Sequence, residues 1–369
     1  MRFEKVDEGF VNRRPDSGPT AVAATPRCAV MDSGEVVCTC VTQAALGRND
    51  FKPMVSRSRD GGRTWEEQGL IWPRLQERYS ITGSVSRARG GELMFFGQRT
   101  PIDVPGESFW SDATQGIKPN ELIWSTSKDG GRAWADPVPV PLPIPGSAEV
   151  PAPVWVTRDG AWVGCYSPYN TFDPEVKVDR GQVVFGRSED RGRTWAWGSM
   201  LRFEEPGSGA AEAWVAELGD GRLLGTGWHL DLRGQTDYPN AYALSHDGGR
   251  TWGRTRSTGT MGQSTGLGAL PDGRALFVYN QRASGDPGVR LAVCRPTERD
   301  FGVEGDELVW RAATPTQRDT SGGHEEWQDF AFGEPSVTPL PDGSLLVVFW
   351  CIQPAGRGIG YVRLRMINA

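Results

Sequence analysis

Glu212 and Glu334 each stand nine residues ahead of the glycine of an Asp-Gly turn, Gly221 and Gly343, and each opens a strand-like run. The runs read Glu-Ala-Trp-Val-Ala-Glu-Leu and Glu-Pro-Ser-Val-Thr-Pro-Leu. Two carboxyls at equivalent points of two repeats can share one site. Where such a group faces a crowded interior, lost hydration penalises its charged form, and its pKa rises unless a partner compensates. A carboxyl pair tuned in this way suits acid/base or nucleophilic chemistry, including sugar-bond hydrolysis. The same count back from four other turn glycines reaches Thr25, Thr82, Pro151 and Ser264, so two of six equivalent positions carry a carboxyl. The three histidines are not paired at ligand spacing, and the six scattered cysteines read as buried free thiols, so no metal and no other cofactor is expected.

The elements that must position these residues are short strands joined by turns, as 48 Gly, 27 Pro and 15 Trp imply. A glycine-containing tight turn recurs six times, at 32–34, 90–91, 159–160, 220–221, 272–273 and 342–343. Each is followed by an apolar run: Val36 to Val41, Leu93 to Phe96, Trp162 to Tyr166, Leu223 to Gly227, Ala275 to Tyr279 and Leu345 to Trp350. A second signature, Ser-x-Asp-x-Gly-x-x-Trp, begins at Ser58, Ser127, Ser188 and Ser245. Its Ser and Asp suit a side-chain-bonded turn, its Gly a positive φ, and its Trp an apolar anchor. Repeats of roughly 50 to 70 residues without helical periodicity match four-stranded propeller blades. The expected fold is all-β: one six-bladed β-propeller of four-stranded antiparallel blades, a single domain over residues 1–369. Antiparallel pairing puts both turn types on one face, so the working face is the opposite one, where six inner strands converge on the axis.

The Ser-x-Asp-x-Gly-x-x-Trp motif resembles the Asp box of the sialidase (neuraminidase) superfamily, whose six-bladed propellers carry it in the third hairpin of their blades. The resemblance covers the whole chain at the level of repeats, with the motif lost in the last two blades. It implies an exo-acting glycoside hydrolase that removes a terminal, acidic sugar such as a sialic acid. The segment starting at Glu212 resembles the one whose glutamate activates the family's catalytic tyrosine. The segment starting at Glu334 resembles the one that begins with that tyrosine, and here a glutamate replaces it. Sialidases use the neutral tyrosine to avoid repulsion between a carboxylate nucleophile and the carboxylate of sialic acid, so the replacement points to another sugar or another mechanism. Asp50, in the loop before the first Asp box, resembles the acid/base aspartate. Arg27 and Arg290, with Arg282 near the latter, resemble two of three arginines that grip the sugar carboxylate. The second of the three has no match at Gly227-Trp228-His229.

Tyr79, Trp228 and His229 are further expected to meet the substrate. Long loops on the working face carry Phe109, Trp110, Asp112, Tyr169, Phe172 and Tyr238, and aromatic faces suit sugar rings. The run from Thr314 to Phe332, with Glu325 and Trp327, leads into Glu334 and is expected to wall the pocket. The alternatives are a non-sialic exo-glycosidase resembling arabinanases, a uronate lyase using Tyr79 or His229 as base, and a non-catalytic glycan-binding propeller. A net charge of −6 argues against a nucleic-acid partner, and no apolar run reaches membrane-spanning length. The expected partner is a glycan, with the oligomeric state open. The charged start, Met1 to Phe10, shows no signal peptide, which leads to a cytoplasmic expectation.

Overall fold

A computed structural model of the chain describes residues 1–233 and 236–367. Six antiparallel sheets follow one another as propeller blades. Blade one comprises Val22–Val30, Val36–Gln43, Lys52–Ser58 and Glu66–Leu70; blade two comprises Tyr79–Arg87, Leu93–Pro101, Glu121–Ser127 and Val138–Val140. In blade three the inner strand is split into Ser147–Glu149 and Trp155–Val156, and both pieces pair with Trp162–Tyr169, followed by Gln182–Ser188 and Ala196–Arg202. Pro151 and Pro153 lie in the gap, and neither has an amide to donate to a ladder. Blade four runs Ser208–Glu217, Leu223–Asp231, Ala241–Ser245 and Arg256–Ser257; blade five runs Gln263–Ala269, Ala275–Gln281, Gly288–Cys294 and Val303–Arg311. Blade six runs Phe332–Pro339, Leu345–Gln353 and Gly356–Ile367, and its outer strand is the chain start, Arg2–Arg13, paired from Arg2 with Ile367 to Arg13 with Gly358. This charged N-terminal segment closes the ring.

Each of the six apolar runs expected after a tight turn is the second strand of a blade. These strands are almost wholly buried: every residue of Val36–Gln43 and of Trp162–Tyr169 is inside. Neighbouring blades cover both of their faces, so they read as continuous apolar runs rather than alternating ones. The outer strands alternate or face water, as Glu66–Leu70 and Arg256–Ser257 do.

The four Ser-x-Asp-x-Gly-x-x-Trp motifs share the Ser and Asp bonds of one turn, and the indole bond is made in the first three but not by Trp252. Ser58 Oγ accepts from the Gly62 amide at 2.7 Å, Asp60 accepts from the Arg63 and Thr64 amides at 3.0 and 2.9 Å, and the Trp65 indole donates to the Gly62 carbonyl at 3.1 Å. The hydroxyl and amide of Thr194 hold Asp190 down at about 2. The expected sharing of one face by the two turn types is visible at Arg187, which bonds Asp159 of a tight turn at 2.7 Å and the Gly248 carbonyl of a motif at 3.0 Å. These residues therefore secure the scaffold, away from the axis pocket.

Candidate active site

At the axis, four of the six equivalent positions share an unusual backbone. Thr25, Glu212, Ser264 and Glu334 have φ of 50°, 47°, 53° and 46°, and each lies in a register shift of its inner strand. A non-glycine residue in this region costs ~1–3 kcal/mol and persists only where its surroundings fix it. A bulge of this kind re-aims one side chain out of the alternation.

What fixes these residues is a set of bonds between blades. The Thr25 amide donates to Glu334 Oε2 at 2.7 Å, and the Glu212 amide donates to Glu149 Oε2 at 2.8 Å. These two clamps, blade six onto one and blade three onto four, are half a turn of the ring apart. The Ser264 hydroxyl donates to Glu212 Oε1 at 2.5 Å, while Glu212 Oε2 is buried without a protein partner.

All four residues line a cavity of about 300 Å³ on the axis. Glu149, Arg180, Asp231, Arg282 and Trp228 share its wall, with Trp350 and Phe330 beside Glu334. Around one side runs an arc of aromatic contacts: Phe51 to Phe109 at 5.2 Å, Phe109 to Trp327 at 5.4 Å, Trp327 to Trp110 at 6.2 Å and Trp110 to Tyr169 at 6.0 Å. Trp327 thus carries the segment before blade six across to the long loop of blade two. That loop is tied to blade one by the Asn49 amide on the Glu107 carbonyl and the Phe109 amide on the Gly47 carbonyl, at 2.9 and 3.2 Å.

Burial dominates the carboxyl electrostatics. It pushes Glu212 up to about 8, aided by the charges of Glu334 and Glu149 and opposed by Ser264 and Arg27. It raises Glu149 to about 7, against the Glu212 amide. Glu334 is also raised by burial, but Arg27, the Thr25 amide and Arg282 all oppose the shift. At neutral pH the arrangement therefore holds a protonated Glu212 in the same cavity as Glu334, the carboxyl with the most support for its anionic form.

Of the residues singled out from sequence, the fold gathers Glu212, Glu334, Arg282 and Trp228 in the cavity wall, with Phe109, Trp110, Asp112, Tyr169, Glu325 and Trp327. Phe172 and Tyr238 lie outside it, as do five expected catalytic or binding residues. Asp50 turns its carboxylate back to the Ala44 amide at 3.1 Å, although its neighbour Phe51 does line the cavity. Arg27 is sealed within the scaffold, bonding the carbonyls of Pro151, Pro26 and Glu334 and stacking 4.7 Å from the Trp214 ring. Arg290 lies on the third strand of blade five, bonded to Asp306 and the Tyr279 hydroxyl, each at 3.0 Å. Tyr79 carries the guanidiniums of Arg99 and Arg78 over its ring. His229 follows Trp228 on one strand and so faces the other way, between Phe203 at 4.5 Å and Tyr238 at 4.7 Å. Of the three arginines expected at the sugar, Arg27, Arg290 and Arg282, Arg282 alone lines the cavity.

Sequence reasoning missed Glu149, Arg180 and Asp231. Glu149 had a signal: it stands two residues before Pro151, the counted start of blade three, and positions two apart on a strand share a face. Arg180 sits in a loop with no periodicity to mark it.

The model of the BNR repeat-like domain family matches residues 104–313, over half of the chain. No curated protein sequence is similar enough to count as a relative. Among solved structures, a protein of unknown function from Dyadobacter fermentans superimposes with a TM-score of 0.73 at 19% identity, covering 99% of each chain. The Hadza microbial sialidase Hz136 superimposes with a TM-score of 0.65 at 19% identity, over 94% of this chain and 66% of that one. The α-L-arabinanase of Penicillium chrysogenum superimposes with a TM-score of 0.65 at 15% identity, over 98% of both chains. At these identities the likeness shows a shared propeller fold, one that glycoside hydrolases use.

Proposed function

For a chain that belongs to the BNR repeat-like domain family, we propose the function of an exo-acting glycoside hydrolase that removes a terminal sugar unit from a glycan. The observation that carries this reading is the unequal treatment of two buried glutamates in one axial cavity. Glu212 keeps its proton to about pH 8 and has an oxygen, Oε2, without a protein partner, so it is the proton donor to the departing glycosidic oxygen. Glu334, supported as an anion by the Thr25 amide and by Arg27 and Arg282, supplies the negative charge, as nucleophile or as base for the attacking water. Asp50, which accepts from the Ala44 amide and does not line the cavity, has no part in this scheme. The aromatic arc gives the sugar ring an apolar face to pack on. The likeness to a sialidase and an arabinanase agrees with this class of chemistry.

The test is hydrolysis of a panel of fluorogenic glycosides by the wild-type protein and by Glu212→Gln and Glu334→Gln. Glu334→Gln should lose at least ~10³-fold in kcat, as removal of a reacting carboxylate does. Glu212→Gln should lose a comparable factor on sugars with poor leaving groups. It should keep much of its rate on dinitrophenyl glycosides, whose leaving group needs no proton. The anomer released first, read by NMR, separates nucleophile from base for Glu334. Turnover unaffected by either substitution would sink the assignment. Glycan binding without turnover would favour a binding module, and an unsaturated product a lyase.

A further inference from the structure

Two cysteines of blade one face each other across its two innermost strands. Cys28, on Val22–Val30, pairs directly with Cys38, on Val36–Gln43. The kind of pair follows from the turn that joins these strands. The Met31 amide donates to the Glu35 carbonyl at 2.8 Å, which makes Met31 and Glu35 a hydrogen-bonded pair. From there the ladder runs without a shift through Val30 with Val36 and Ala29 with Val37 to Cys28 with Cys38. Hydrogen-bonded and non-hydrogen-bonded pairs alternate along an antiparallel ladder, so the cysteines occupy a non-hydrogen-bonded pair, whose Cα atoms stand about 4.5 Å apart with their side chains close. A disulfide spans Cα atoms about 4.4 to 6.8 Å apart. The two thiols do meet: the Cys28 thiol is the largest cause that raises the Cys38 thiol well above its ordinary range, followed by burial.

No other cysteine has a cysteine opposite it. Cys40 shares the face of Cys38, but opposite it the inner strand leaves the ladder between Ala24 and Arg27, and its thiol accepts from the Asn12 side-chain amide at 3.5 Å. All six thiols are free and five are buried, whereas Cys28 is half-buried and is the one that an oxidant reaches. We propose that Cys28 and Cys38 form a site of reversible oxidation, where a small-molecule disulfide converts the thiol pair to a cross-strand disulfide. The Cys28 thiolate attacks one sulfur of the oxidant and expels the other as a thiol. Cys38 then loses its proton and attacks the Cys28 sulfur, expelling the second thiol. Two protein thiols are oxidised and one small disulfide is reduced to two thiols. The bond joins the two strands one residue beyond Arg27 and three beyond Thr25, which hold the carbonyl and the carboxylate of Glu334, so it braces that clamp.

The test counts thiols. The folded, reduced protein is incubated with oxidised glutathione, then unfolded and alkylated with iodoacetamide. Two of the six thiols are expected to escape alkylation, and all six to react again after dithiothreitol. Cleavage of the chain at Glu35 separates the two cysteines, and without reductant the two fragments should stay joined. Cys40→Ser should form the bond as the wild type does, Cys28→Ser should keep every remaining thiol reactive, and Cys38→Ser should stop at a glutathione adduct on Cys28. Six reactive thiols after oxidation, a glutathione adduct that persists on Cys28 of the wild type, a bond that survives Cys38→Ser, or one that forms only when denaturant is present overturns the proposal. The fragment mapping uses the wild-type protein, so it decides the matter even where a variant fails to fold, and neither result depends on the glycosidase reading.

Discussion

Glu212 is held in the cavity at a cost to the folded state, and that cost has a sign. Its ordinary pKa is 4.5, and burial carries it to about 8. Between those values the folded protein binds a proton that the unfolded chain has lost, so stability falls as pH rises across the window. Glu212→Gln keeps an oxygen for the Ser264 hydroxyl and removes the charge. The variant is expected to match the wild type near pH 5 and to exceed it by ~1–3 kcal/mol at pH 8.5, read from denaturant unfolding at both values. Parallel pH slopes for the two proteins would refute the buried-carboxyl account. At this scale the sequence was informative where backbone position fixes direction, as for Glu212, Glu334 and Ser264. It failed for Arg27 and Arg290, because where a long guanidinium ends depends on acceptors from other blades or outer strands.

The aromatic arc is built mostly from loops, with Tyr169 at the end of a blade-three strand. Trp327 touches both Phe109 and Trp110, and its loop approaches Gly47 through Gln328. If the arc carries a sugar face, Trp327→Ala should raise KM for an oligosaccharide substrate ~10-fold, in keeping with the ~0.5–1.5 kcal/mol of an aromatic contact plus lost area, with kcat little changed. Loss of kcat alone, or of folding, would assign Trp327 to another role. The sequence placed these aromatics on working-face loops. Their meeting could not be read from spacing, because Phe109 and Trp327 lie more than two hundred residues apart and are joined by loop paths that follow no period.

At the scale of the whole molecule, the ring is held shut by hydrogen bonds between the two ends of the chain, Arg2–Arg13 against Gly356–Ile367. Removing residues 1–13 would strip the outer strand from blade six and expose a long edge. The truncated protein is expected to melt at least ~5 °C lower and to self-associate on size exclusion, and a synthetic peptide of residues 1–13 added in trans should restore part of the loss. An unchanged melting temperature would show that the ring is closed by side-chain packing between blades alone. The closing strand is charged and half exposed, so its composition gave little strand signal, whereas the buried second strands gave a strong one.

Local physics settled the blade count, the second strands, the side-chain-bonded turns and the two glutamates on the axis. Each depends on residues close in the chain: a turn glycine, the apolar run after it, and a fixed number of strand residues before it. The tertiary structure alone decided that Glu149 joins those glutamates, that Asp50 and His229 lie outside the cavity wall, and that Arg27 and Arg290 are bonded elsewhere. Those outcomes depend on which acceptors and charges six separate blades bring within a few ångströms of one axis, and no spacing in the sequence encodes that distance.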